Sequence, residues 1–121
     1  RTVAFEVDLD VLLAAAPTEP TQYRPVSTFP AAKEDIALVV PAEVPAAELL
    51  ATVQEAGGEL AEEVRLFDAY SSDTLGEGRK SLAFSLRMRA PDRTLTAADT
   101  AAVREAVVAL AGERFGAELR S

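Results

Sequence analysis

Residues 59–89 read ELAEEVRLFDAY, then SSDTLGEG, then RKSLAFSLRMR: two apolar runs separated by a polar segment that holds Gly76 and Gly78. Apolar runs around a glycine-bearing loop predict a β-hairpin with a long tip. In the second run Leu82, Phe84, Leu86 and Met88 alternate with Ser81, Ala83, Ser85, Arg87 and Arg89. A period of two puts one set of side chains on a core and leaves the other on an open face. Between Arg79 and Arg89 there are four basic residues and no acidic one, and the outward side chains near the middle are small. A face of that kind suits something flat and negatively charged.

Outward from the hairpin, Asp35–Val40 (DIALVV) is β-branched, apolar and stopped by Pro41, the pattern of a central strand. Pro45 fits the first position of a helix whose stripe is Ala46, Leu49, Leu50, Val53 and Ala56, ended by Gly57-Gly58. After the hairpin, Asp92-Arg93 turns the chain, and Thr96 to Asp99 forms a capping box with Asp in the usual place of Glu. The second helix then sets Val103, Ala106, Val107, Leu110 and Ala111 on one face, with Phe115 near its end and Gly116 as its stop. Ala117–Arg120 is a short last strand. The order β-α-β-β-α-β with right-handed crossovers predicts an α+β, ferredoxin-like fold. Its four-stranded antiparallel sheet carries both helices on one face, with the first and third strands in the middle.

The segment before residue 31 differs. Val3–Val7 reads as a short strand, and Asp8 as the N-cap of one or two helical turns in LDVLLAAA. Residues 17–30 hold four of the seven prolines (Pro17, Pro20, Pro25, Pro30), an extended linker. Two regions are therefore expected: 1–30, the tail of a preceding domain plus linker, and 31–121, the ferredoxin-like domain. Arg1 in place of an initiator methionine points to a piece of something longer.

An apolar share of 49% and a charged share of 26% are ordinary for a globular domain. No signal peptide opens the chain and no run is long enough to cross a membrane, so a cytoplasmic location is expected. With no Cys and no His, thiolate chemistry, disulfides and the commonest metal ligands and general bases are excluded. No pair of carboxylates is placed for acid–base work, and no catalytic residue is expected. A net charge of −8 argues against a nucleic-acid partner. The acids, however, concentrate in the helices and the early hairpin, and the bases in one strand.

Three candidate sites stand out. Gly76-Glu77-Gly78-Arg79-Lys80-Ser81 has a superficial likeness to a phosphate loop, but the GxxxxGK[ST] spacing is absent and a strand follows, so it is a turn. Asp35 opens the central strand and reads as a solvated or capping carboxylate. Asp68 and Tyr70 read either as an edge carboxylate in water and a ring covering the sheet, or as a hydrogen-bond acceptor beside a stacking ring. Val64 and Leu66 share their parity, so outward Asp68 and Tyr70 require a bulge in that strand.

FPAAKEDIALVV, LFDAY, GEGRKSLAFSLRMR, DRTLT and RFGAELR together resemble the C-terminal ferredoxin-fold anticodon-binding domain of the bacterial phenylalanyl-tRNA synthetase beta subunit. The likeness covers about the last three-quarters of the chain, and TVAFEVDLDVLL resembles the end of the domain before it. The resemblance implies a tRNA-binding module of an enzyme with two alpha and two beta subunits that joins phenylalanine to its tRNA. ATP and magnesium are used in the alpha subunit, with no cofactor and no catalytic residue in this piece. It implies base contacts from Ala37, Asp68, Tyr70, Ser81 and Ala83, and phosphate contacts from Arg79, Lys80 and Arg87. Where the family commonly has two basic residues before the Asp of the first strand, this chain has Lys33-Glu34, a like charge set against a phosphate. The tip also carries Asp73 and Glu77, so weak tRNA binding by the isolated chain is expected. The competing expectations are an amino-acid-binding regulatory domain, which usually needs a glycine where VPAEVPAA has none, and a structural docking module.

Overall fold

The computed structural model of the chain describes residues 2–20, 22–23 and 27–120. Arg1 and Pro25, which figure in the sequence reading, lie outside the described residues, as does the side chain of Asp73. Four strands form one antiparallel sheet: β1 (Ala32–Pro41), β2 (Ala61–Tyr70), β3 (Arg79–Met88) and β4 (Glu118–Leu119), in the order β2-β3-β1-β4. Helix α1 (Leu9–Ala14) precedes the sheet, α2 (Ala46–Gly57) joins β1 to β2, and α3 (Ala97–Phe115) joins β3 to β4.

The alternation in β3 governs the architecture. Leu82, Phe84, Leu86 and Met88 are buried together with Ile36, Leu38 and Val40 of β1, Leu49 and Val53 of α2, and Val103, Val107 and Ala111 of α3. One side of the sheet is therefore sealed by both helices, and burial of these side chains contributes about 25 cal/mol for each Å² removed from water. Ala106, expected on that packed stripe, is exposed, because the buried line runs through Val103, Val107 and Ala111.

Local chemistry sets the ends of the elements. Pro45 is the N-cap of α2, one place earlier than expected; its carbonyl accepts from the Glu48 and Leu49 N–H groups at 3.1 and 3.3 Å. At the other end of α2 a Cβ on Gly57 would come 2.5 Å from the Ala61 Cβ, which explains a glycine there. Helix α3 ends in a left-handed glycine cap: Gly116 takes φ 61° and its N–H donates to Gly112 O, while Ala117 N–H donates to Ala111 O. The turn sends the chain straight into β4.

The capping box at the start of α3 is complete. The Asp99 N–H donates to Thr96 Oγ1, and the Thr96 N–H donates to Asp99 Oδ2 at 2.8 Å. Arg93 also grips Asp99 through both guanidinium ends at 2.7 and 3.0 Å. These Arg93 bonds, and then the Thr96 N–H and hydroxyl, hold the Asp99 carboxyl well below the usual carboxylate range. A carboxyl depressed by folding stabilises above its unfolded pKa, about 4, and loses that contribution as pH falls toward the folded value. Asp99→Asn is therefore expected to lower the melting temperature at pH 7, with the gap from wild type shrinking by pH 3. Thermal unfolding at the two pH values checks this, and an unchanged gap would contradict it.

The expected strand at Val3–Val7 does not form. Val3 and Phe5 are 89% and 90% exposed and the segment pairs with none of the described residues; a strand exists only through its ladder partner. Asp8 does cap α1, its carboxylate accepting from Asp10 and Val11 N–H.

Candidate functional site

The helix-free side of the sheet is organised in cross-strand rows set by the register. Tyr70, Ser81 and Val39 lie in one row, and Asp68, Ala83 and Ala37 in the next. Then come Arg65, Ser85 and Asp35, and finally Glu63, Arg87 and Lys33.

Two irregularities in β2 produce this arrangement. Val64 pairs with Leu86 and Leu66 with Phe84, both on the core side, and the register then shifts so that Asp68 pairs with Ala83. Phe67 is the extra residue of this bulge, and it reverses the parity of the residues beyond it. Asp68 and Tyr70, which share sequence parity with Val64 and Leu66, thereby join the open side. The second shift, between Ala61 and Glu63, sets Glu62 apart from the ladder. Its carboxylate lies 2.9 Å from Arg87 Nε and 3.3 Å from Arg89 Nε. Neither Nε–H points along a hydrogen bond, so charge alone holds these pairs.

Asp68 is exposed and Tyr70 is 42% exposed, while Ala37 and Ala83 are half-buried and flat between them. Ser81 is only 3% exposed, between Tyr70 and Val39, so its hydroxyl lies beneath the row rather than on it. Ring, carboxylate and small-residue platform are thus brought to one side by the register shift at Phe67, which the parity of β2 did not fix.

The cations are placed differently from expectation. Arg79 is on the open side but pairs with Glu118 of β4 at 3.2 Å and donates to Val39 O at 3.4 Å. Lys80 alternates to the helix side, where its Nζ donates to Ala42 O at 2.7 Å. Arg87 is on the open side against Glu62. A face without acids, read from β3 alone, is corrected: the register supplies Asp35, Glu63 and Asp68 from the neighbouring strands. Glu34 corrects another expectation. It has the parity of Ile36 and points to the helices, where Arg104 of α3 donates to it at 2.9 Å, so it opposes nothing on the open face.

Arg120 escaped the sequence reading. Its N–H donates to Ala37 O at 2.8 Å, and its guanidinium carbon lies 5.2 Å from the centroid of the Tyr70 ring, a cation–π contact. Tyr70 is on one outer strand and Arg120 follows the other, so the two side chains meet by reaching across β1 and β3 above the alanine platform. Only the tertiary fold brings residues fifty positions apart into that contact.

The described part of the proline-rich segment leaves the platform open. Ser27 docks at the far end of β3, where Arg89 donates to its carbonyl at 2.8 Å and its hydroxyl donates to Ala90 O at 3.3 Å. Beside the platform the open face sinks into a depression of about 340 Å³, lined by the Lys33–Arg87 end of the rows and by Phe67. Among the described residues no three His, Cys, Asp or Glu side chains converge on a point where a metal ion could bind, and no helix is long and apolar enough to cross a membrane. A ring beside an acceptor over a small-residue floor can bind a planar base.

Residues 27–120 match the ferredoxin-fold anticodon binding domain. The phenylalanine–tRNA ligase beta subunit of Thermobifida fusca is 55% identical over 122 residues, covering 99% of this chain. Those of Streptomyces avermitilis and Corynebacterium jeikeium are each 52% identical and cover all of it. The chain spans about 14% of the length of these curated relatives. On this match, carried by β1 to β4 and both packed helices, the chain belongs to the ferredoxin-fold anticodon binding domain family.

Proposed function

We propose that this chain is the anticodon-binding module of a phenylalanine–tRNA ligase beta subunit, working in the cytoplasm. Residues 31–121 are the binding domain; 1–30 end a preceding domain and link to it. The ligase reaction, with ATP and magnesium, belongs to the alpha subunit of the whole enzyme, and the remainder of the beta subunit and the alpha subunit are the protein partners. The supporting observation is the bulge at Phe67, which turns Asp68 and Tyr70 onto the same side as Ala37 and Ala83.

That grouping fits guanine, the first base of the phenylalanine anticodon. The Asp68 carboxylate accepts from guanine N1–H and N2–H₂, donors that no pyrimidine presents together. Tyr70 stacks on the base, Ala37 and Ala83 let it lie flat, and Ser81 is reached when the side chains above it part. Arg79 and Arg87 exchange Glu118 and Glu62 for phosphates, while Lys80, turned to the helix side, takes no part. An acidic residue in the site is thus a recognition element, and a negative net charge does not oppose it.

Titration of the chain with tRNA(Phe) at low salt, beside the same tRNA carrying adenine as first anticodon base, tests the reading. The change is expected to weaken binding about tenfold, the scale of one lost bidentate pair. Equal binding of the two tRNAs would reduce the contact to charge attraction, and no binding would leave a docking module.

A further inference from the structure

At the end of the sheet where Ser27 docks, one carboxylate serves two cations. Glu62 Oε2 stands 2.9 Å from Arg87 Nε and 3.3 Å from Arg89 Nε, yet both Nε–H groups are shut off from solvent and neither completes a hydrogen bond. A buried donor left unpaired is costly, and an acceptor that turns fully to one arginine satisfies that one at the expense of the other. Glu62 has room to turn. The register shift between Ala61 and Glu63 leaves it outside the ladder on an edge strand, with its side chain 45% exposed.

The two arginines have different duties. Arg87 lies on the helix-free side with its side chain 43% exposed. Arg89, one place past β3, is 15% exposed; its N–H donates to Leu60 O, and its Nη1 donates to Ser27 O at 2.8 Å. The Ser27 hydroxyl donates to Ala90 O and accepts from the Phe29 N–H at 3.2 Å. Glu62 therefore reaches the open face through one arginine and the linker through the other.

We propose that Glu62 is a relay between RNA on the open face and the linker. When Arg87 leaves for a phosphate, Glu62 turns wholly to Arg89 Nε. That steadies the guanidinium whose other end holds Ser27, and the linker is clamped harder against the end of β3. The phosphate trigger rests on the anticodon reading, whereas the relay itself rests on Glu62 and the two arginines. RNA on the face thus stiffens the connection to what precedes the domain, and linkage makes a clamped linker favour RNA by the same factor. Glu62 is a positioning residue, since it touches neither RNA nor linker.

Amide exchange of Phe29 in the 121-residue chain reads the clamp, because its N–H is held by the Ser27 hydroxyl. Arg87→Ala removes the competing cation and mimics the RNA-bound state, so it is expected to slow this exchange about fivefold, the low end of common couplings. Glu62→Gln keeps the size of the side chain and drops its charge, and is expected to quicken exchange by a similar factor. A side chain that merely props the fold would give faster exchange in both variants. Saturation with the anticodon stem–loop of tRNA(Phe) is expected to slow exchange about fivefold in wild type and to leave Glu62→Gln unchanged. Exchange that is faster or unchanged in Arg87→Ala overturns the relay, and binding of the stem–loop without slowing overturns the phosphate trigger. If Arg87→Ala slows exchange while wild type binds no stem–loop, the anticodon reading falls with the trigger, and the link between Glu62 and the linker is upheld.

Discussion

Phe84→Ala is expected to destabilise the domain by about 3–5 kcal/mol, the cost of a large cavity in a packed core. Phe84 is fully buried, centred in β3, with Ile36 and Leu66 directly across on the two neighbouring strands. It is among the largest fully buried side chains, in the cluster that fastens α2 and α3 to the sheet. No neighbour can collapse into the space without dragging a strand with it. Its own neighbours, Ala83 and Ser85, face the other way onto the helix-free side, so the cavity also loosens that surface. Urea unfolding with an unchanged m-value measures the loss. Phe84→Leu, which keeps most of the volume, should cost much less, and a loss below about 1 kcal/mol for alanine would mean that the helices do not lean on this ring.

Tyr70→Ala is expected to weaken tRNA(Phe) binding by about 1–3 kcal/mol, a factor of roughly five to 150, through loss of the stacking surface. The expected value lies toward the lower half of that range. In the free protein the Arg120 guanidinium already rests on the ring, and an exposed contact of that type is worth about 0.5–1 kcal/mol that an arriving base must replace. The displaced arginine carries its charge toward the phosphates, which recovers part of the cost. Tyr70→Phe keeps the ring and should bind almost as wild type does. Folding is not at stake, since the side chain is outside the core. Unchanged affinity in Tyr70→Ala would remove the ring from the site.

Both predictions come from the same strand pair, yet they were not equally readable. The apolar alternation of β3, the Thr96–Asp99 cap and the Gly116 stop are local: each depends on neighbours within a few positions, and sequence spacing encodes such neighbours directly. The outward facing of Ser81 and Ala83 followed from parity along β3, and Ala37 entered through the family resemblance. The facing of Asp68 and Tyr70 did not follow, because parity along β2 put them with Val64 and Leu66, and only an inserted residue could turn them. Composition along one strand was also a poor guide to the charge of the face. A sheet surface is made of rows, and each row borrows from strands far apart in sequence.

By itself, then, the sequence determined the element order from residue 31 onward, the four-stranded sheet with helices on one side, the packed faces of β1 and β3 and the caps that end α3, all of which are consequences of short-range periodicity and backbone chemistry. Tertiary structure alone decided that Phe67 is the bulged residue, that Glu34 and Lys80 turn away toward the helices, that Arg79 and Arg87 are met by Glu118 and Glu62, and that Arg120 reaches Tyr70 across the platform. These depend on register between strands, and register is a property of the assembled sheet: a slip of one residue reverses every side chain beyond it.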